Sequence, residues 1–112
     1  MAPKPTPKPP AHLKKASRDW WAKVNSDYSL EDHHRRLLTL ACESWERAQQ
    51  ARQAIEEHGL TFTDKAGQPR ARPEVAIERD SRVVFARLLR ELDLEGEPLP
   101  DPRLPRPHSA KR

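Results

Sequence analysis

LEDHHRRLLTLACESWERAQQARQAIEEHG, residues 30–59, is the stretch whose reading decides the fold. No proline or glycine interrupts it from Leu30 to His58. Ser29 is placed to cap its start, with Asp32 three positions on. Glu31 and Asp32 fall in the first turn, where the helix dipole favours negative charge, and His58 falls in the last. Gly59 supplies the residue for a left-handed ending. The stretch therefore reads as one helix, a rod of roughly 43 Å at 1.5 Å per residue.

The apolar face of this rod is too wide for a single neighbour. At about 100° per residue, Leu30, Leu37, Ala41, Ala48 and Ile55 form a stripe. Leu38, Cys42 and Trp45 widen it on one side, and Leu40 and Ala51 on the other. Ala48, Ala51 and Ala54 are small enough to let another helix approach closely. On this reading Trp45 is buried, and Trp45→Ala is expected to cost about 3–5 kcal/mol.

Little of the chain is available to cover the rod. The 112 residues suit one small domain. Five prolines lie in the first ten residues and five between Pro98 and Pro107. The sequence thus predicts a basic, disordered arm at 1–12, a helical core at 13–94 and a disordered Pro-rich tail at 95–112. A core of about 80 residues is marginal alone, and association is an ordinary remedy. A second copy is expected to cover part of the central helix.

Outward from the rod, Leu13 to Asn25 reads as a short helix, with Leu13, Trp20 and Val24 at i, i+7 and i+11. Trp20 and Trp21 are 100° apart, so one is expected to anchor this helix and the other to reach a subunit contact. Ser26 to Ser29 is a short link. A DNA-reading helix-turn-helix is disfavoured, because Glu31 and Asp32 at the start of the second helix would repel phosphate. After Gly59 the period changes. Leu60 to Asp64 alternates, Lys65 to Gln68 forms a turn with Gly67, and Pro69 to Arg72 returns, predicting a β-hairpin at about 60–72. Pro73 opens a last helix, with Ile77, Val84, Leu88, Leu92 and Phe85 on one face and Val83, Ala86 and Leu89 off it. The fold class is mainly α: a short helix, a long central helix, a β-hairpin and a third helix, in a ring-forming oligomer.

Net charge is +4 and the isoelectric point about 9.6. Residues 1–28 carry +4 and residues 60–72 carry +2, while the two longer helices are slightly acidic. That distribution suits a helical scaffold that presents basic groups to a polyanion. The plainer alternative is that Lys-rich ends serve solubility.

No catalytic constellation emerges, and the sequence predicts a protein that is not an enzyme. The three glycines, at 59, 67 and 96, make no phosphate loop. Cys42 is the single cysteine, read as an apolar filler, and no cysteine pair serves zinc. His33 and His34 are adjacent and point apart on a helix. No cofactor and no metal are expected. With no apolar leader and no run near the ~20 apolar residues of a membrane span, a cytosolic setting is expected.

The order of features then resembles a known family. "HLKKASRDWWAKV" leads through "NSDYSLED" into "HHRRLLTLACESWERAQQARQAIEEHGL", then "TFTDKAGQPRARP" and "EVAIERDSRVVFARLLRELDL". Over about residues 12–95 this resembles one family of small phage terminase subunits. In that family a Trp-bearing first helix, an aspartate opening the second, a helix-ending glycine and a final Leu-rich helix recur in this order. The chain departs from it in its Pro-rich ending. The resemblance implies a ring that recognises viral double-stranded DNA at the packaging start, and that recruits and regulates the terminase large subunit, which holds the ATPase and nuclease. It implies action in the host cell cytoplasm. Charge alone points to Lys14, Lys15, Arg18 and Lys23 near the first helix, and Lys65, Arg70 and Arg72 on the hairpin, as DNA-binding residues acting mainly on phosphates. Subunit contacts are expected from Trp20 or Trp21, Trp45, Phe62, Val83 and Leu89. The rival from another class is a dimeric helical regulator, or an antitoxin-like module that binds protein through its tails.

Overall fold

The computed structural model describes residues 7–94. The disorder expected for the first six residues and for 95–112 falls outside that range. Five elements follow in order: α1 (Lys15–Asp27), α2 (Asp32–His58), β1 (Thr61–Thr63), β2 (Pro69–Ala71) and α3 (Pro73–Leu92). The protein is mainly helical, in the element order expected.

α2 starts two residues later than its sequence suggests. Glu31, not Ser29, is the N-cap. Its backbone N–H donates to His34 Nδ1 at 3.3 Å. The shift has a packing cause. Leu30 packs on the core from just outside the helix, and its carbonyl accepts a hydrogen bond from Arg35 Nη1 at 2.8 Å. A helix begun at Leu30 would lose both. Gly59 ends α2 with φ +89 and ψ 180. That positive φ is open to glycine, but the conformation is not the left-handed helical one expected of a helix-ending glycine.

The core is small and lies at one end of the molecule. Leu13, Trp21, Val24, Leu38, Cys42 and Leu92 form it, with Tyr28, Leu30 and Leu94 packed around. Trp21 is 3% exposed, and its indole N–H donates to Thr39 Oγ1 at 3.1 Å. The Tyr28 hydroxyl donates to the Leu94 carbonyl at 2.9 Å, tying the end of α3 to the end of α1. Leu92 shares this core with Leu38, while the Phe85 ring lies 5.4 Å from Trp45. α3 therefore runs antiparallel to α2. Ala41, Ala48 and Ala51 are buried along α2, the small side chains that close helix approach requires.

Several side chains assigned to apolar faces are exposed. Leu40 is 49% and Trp45 45% exposed, and Ile77, Val83 and Val84 are exposed too. The reason is length. α1 has 13 residues against 27 in α2, about 20 Å against 40 Å. It covers the N-terminal half of α2, and beyond that α3 is the only other helix among the described residues. The burial expected for Trp45 from its place on the helical wheel is incomplete, because it lies at the rim of the contact, level with the start of α1 and beside Phe85 of α3.

The hairpin carries its own fastening. Thr61 pairs with Ala71, Phe62 with Arg70 and Thr63 with Pro69. Both strands are exposed along their length. Asp64 organises the turn: Oδ1 accepts from the Ala66 and Gln68 backbone N–H groups, both at 2.9 Å, and Oδ2 accepts from Arg70 Nε at 2.9 Å. Gly67 takes φ +80. At the hairpin base the Arg72 N–H donates to the Leu60 carbonyl, and Arg72 Nε donates to the His58 carbonyl at 3.2 Å.

Candidate nucleic-acid and subunit interfaces

The seven basic residues singled out by charge divide into two groups. The first lies along α1. Lys14 is the N-cap of α1, and its backbone N–H donates to Glu46 Oε2 at 2.7 Å. That contact pins the start of α1 to the middle of α2 and leaves the ammonium exposed. Lys15 pairs with Asp19 at 2.8 Å, and Lys23 with Asp27 at 3.2 Å, each one helical turn on. Arg18 donates to the Leu13 carbonyl at 2.9 Å, so this guanidinium fastens the turn that enters α1.

The second group lies on the hairpin. Lys65 sits in the exposed turn. Arg70 is held by Asp64, and Arg72 by the His58 carbonyl. The Arg70 guanidinium first, then the Gln68 N–H, hold the Asp64 carboxyl below its ordinary pKa of 3.8; burial opposes them, and the Ala66 N–H adds a lesser lowering effect. The pair aims Arg70 but also offsets its charge.

The protomer does not bring the two groups together. Lys14 reaches α2 at Glu46, and the hairpin begins after His58, twelve residues further, about 18 Å along the helix. Lys23, near Tyr28 and Leu94, is farther still. Three exposed arginines escaped the charge argument: Arg47, Arg87 and Arg90 make no ion pair among the described residues. A helical wheel shows their exposure, but whether an acid one turn away would neutralise them depends on rotamers.

The apolar residues expected at subunit contacts also divide. Trp21 lies in the protomer's own core and has no surface to offer, so it is the anchoring tryptophan. Trp20 is half-buried, its ring 6.2 Å from Phe85. Leu89 is half-buried beside it, while Phe62, on the hairpin, and Val83, on α3, are exposed. Sequence reasoning placed Ile77 and Val84 on the apolar face of α3 and Leu40 at the edge of that of α2. All three are exposed in the protomer, and Leu40 and Val84 line one shallow concavity between the two helices.

Little here points to bond-making chemistry. Burial first, then the negative charges of Glu46 and Glu43, push the Cys42 thiol up to about 12. It therefore stays protonated at neutral pH and packs as an apolar group. Among the described residues no three His, Cys, Asp or Glu side chains converge as metal ligands, and no helix is long and apolar enough to cross a membrane.

Comparison with known proteins gives one finding. The family model described as phage terminase, small subunit, matches residues 14–97. No curated protein and no solved structure matches the chain.

Proposed function

The chain belongs to the phage terminase small-subunit family, and from that premise we propose that it is the DNA-recognition subunit of a viral genome-packaging motor. It binds viral double-stranded DNA at the packaging start. It recruits and regulates the large ATPase–nuclease subunit, and has no active site of its own. The observation that carries this reading is the family match, which spans α1 to the end of α3.

The surface supports assembly. Leu40, Ile77, Val83 and Val84 are large apolar side chains left in water on one helical pair. Isolated exposed residues need no explanation, but a set on two adjacent helices is what a subunit interface covers. Copies related by rotation would bury it and close a ring. The same closure supports DNA binding. One protomer holds its α1 and hairpin cations at separate places, whereas a ring repeats each group around a circle. The Lys15–Asp19 and Lys23–Asp27 pairs are exposed, and such pairs are worth at most about 1 kcal/mol. A phosphate can therefore displace the carboxylate.

Two measurements on the full chain test the reading. Light scattering behind a sizing column should give a large closed oligomer; a dimer favours the helical-regulator alternative. Binding to duplex DNA should weaken steeply with salt. The double substitution Lys65→Gln, Arg72→Gln should flatten the log–log slope by about two, one for each phosphate no longer neutralised. A slope near zero in the parent protein removes the DNA-binding proposal.

A further inference from the structure

α3 sorts its charges by face. Counted by residue, 73–94 carries four basic and five acidic groups and reads as slightly acidic. Two of the acids lie on the packed side of the helix: the Glu78 side chain is 19% exposed, and one Glu74 carboxylate oxygen is buried. On the opposite side, at about 100° per residue, Ala76, Arg79, Val83, Arg87 and Arg90 fall within an arc of about 80°. All five are exposed, and among the described residues no carboxylate stands in that arc. Asp80 and Glu91 flank it, and Asp80 pairs with Arg79 at 3.1 Å. Arg87 and Arg90 make no ion pair among the described residues.

The other helices keep their exposed charges mixed. On α1 and α2 cations stand one turn from an acid: Lys15 with Asp19, Lys23 with Asp27, Arg36 with Asp32 and Arg52 with Glu56. That is the ordinary surface of a solvated helix. Arg47, which has no such partner, shares its concavity with Glu43 and Asp80. The α3 row is different, and it also continues the hairpin. Arg72 is the N-cap of α3, and Arg70 stands two residues before it, so the hairpin cations lead into the row along the chain. From Arg79 to Arg90 the row is about 16 Å long at 1.5 Å per residue.

We propose that Arg79, Arg87 and Arg90, on the outward face of α3, bind the phosphate backbone of duplex DNA and extend the hairpin cations into one track. This rests on the DNA-binding reading above and adds a helix face that the reading did not include. Duplex DNA carries one negative charge for about every 1.7 Å of its axis, so a stiff row of this length meets phosphates wherever it lies along the duplex. The planar fork of arginine suits them. A protein partner fits less well, because protein interfaces centre on large anchors seated in pockets, and the arc offers only Ala76 and Val83. A single strand also fits less well, because the arc holds no aromatic ring on which a base could stack. Val83 then stands among the arginines, and the apolar surface left for assembly is the Leu40–Ile77–Val84 side.

The test uses the full chain and a duplex of mixed sequence. The double substitution Arg87→Gln, Arg90→Gln changes the two unpaired arginines, both exposed. The log–log salt slope of binding should flatten by about two, one for each phosphate no longer neutralised. A second duplex of different sequence should show the same change, because phosphate contacts carry no sequence information. Mass by light scattering and helical circular dichroism should stay as in the parent protein. Arg87→Lys, Arg90→Lys keeps both charges and should keep the slope. An unchanged slope in the Gln variant overturns the proposal and leaves the DNA-binding reading standing. A Lys variant whose slope falls as far as that of the Gln variant overturns it as well, because charge is then not what the arginines supply. A fall in mass or helicity of the Gln variant also overturns it, since the arginines then serve assembly or the fold. A slope near zero in the parent protein overturns both the proposal and the reading beneath it.

Discussion

The two ends of α2 are held by different physics. At its N-terminal half, α1 and the end of α3 close over Leu38, Cys42 and Trp21, and stability comes from excluded water. At its C-terminal end no comparable core exists among the described residues. The hairpin there is exposed on both strands, and is held by the hydrogen bonds of Asp64, Arg70 and Arg72. An isolated hairpin of this kind is marginal. The packed end therefore sets the global stability. The distal end can change its local order at little global cost, which suits a segment that meets a partner.

The contrast can be broken most directly at Leu38, which is 0% exposed. Leu38→Ala should lower unfolding free energy by about 3 kcal/mol in a urea titration. A loss under about 1 kcal/mol would mean that the core relaxes into the gap and is less tightly packed than its burial implies. Trp45→Ala probes the boundary between the two ends. The indole is 45% exposed in the described fold, so the expected loss is ~2 kcal/mol, about half that of a fully buried aromatic. The larger cost of about 3–5 kcal/mol that its sequence position suggests would return if another copy covers it.

The smallest global effect belongs to Asp64. Its folded pKa lies below the ordinary 3.8. The hairpin contribution is therefore fully present above that value, and is lost as pH falls below it through the folded pKa. The amide shifts of Ala66 and Gln68 should hold steady down to about pH 3.8 and move only below it, with global unfolding at neutral pH unaffected by Asp64→Ala. A midpoint for both amides at the ordinary 3.8, instead of below it, would show that the Asp64–Arg70 pair does not form in solution.

Much of this organisation is legible in the residues. The uninterrupted run to His58, the glycine at 59, the alternation from Leu60 and the proline at 73 give the element order directly. Helix caps are less legible. Ser29 has the better capping side chain, yet Glu31 takes the position because Leu30 is drawn into the core. Propensity at one residue is worth about 1 kcal/mol, less than burying a leucine. Residue type finds the candidate cations but not their partners. Asp64 acts on Arg70 six residues away across a turn, and Lys14 is placed by Glu46 on another helix.

Sequence alone determined the local periods, the breaks between them and the family resemblance, because each rests on residues close together in the chain. It also determined that the apolar faces exceed what one small chain covers well. Only the tertiary structure decided where the shortfall lies. Burial depends on which helix reaches which height. α1 starts beside Glu46 and passes Thr39 at Trp21, so Trp21 is enclosed, while Trp45 at the rim of that contact and Leu40 in the shallow concavity beside Val84 remain at the surface.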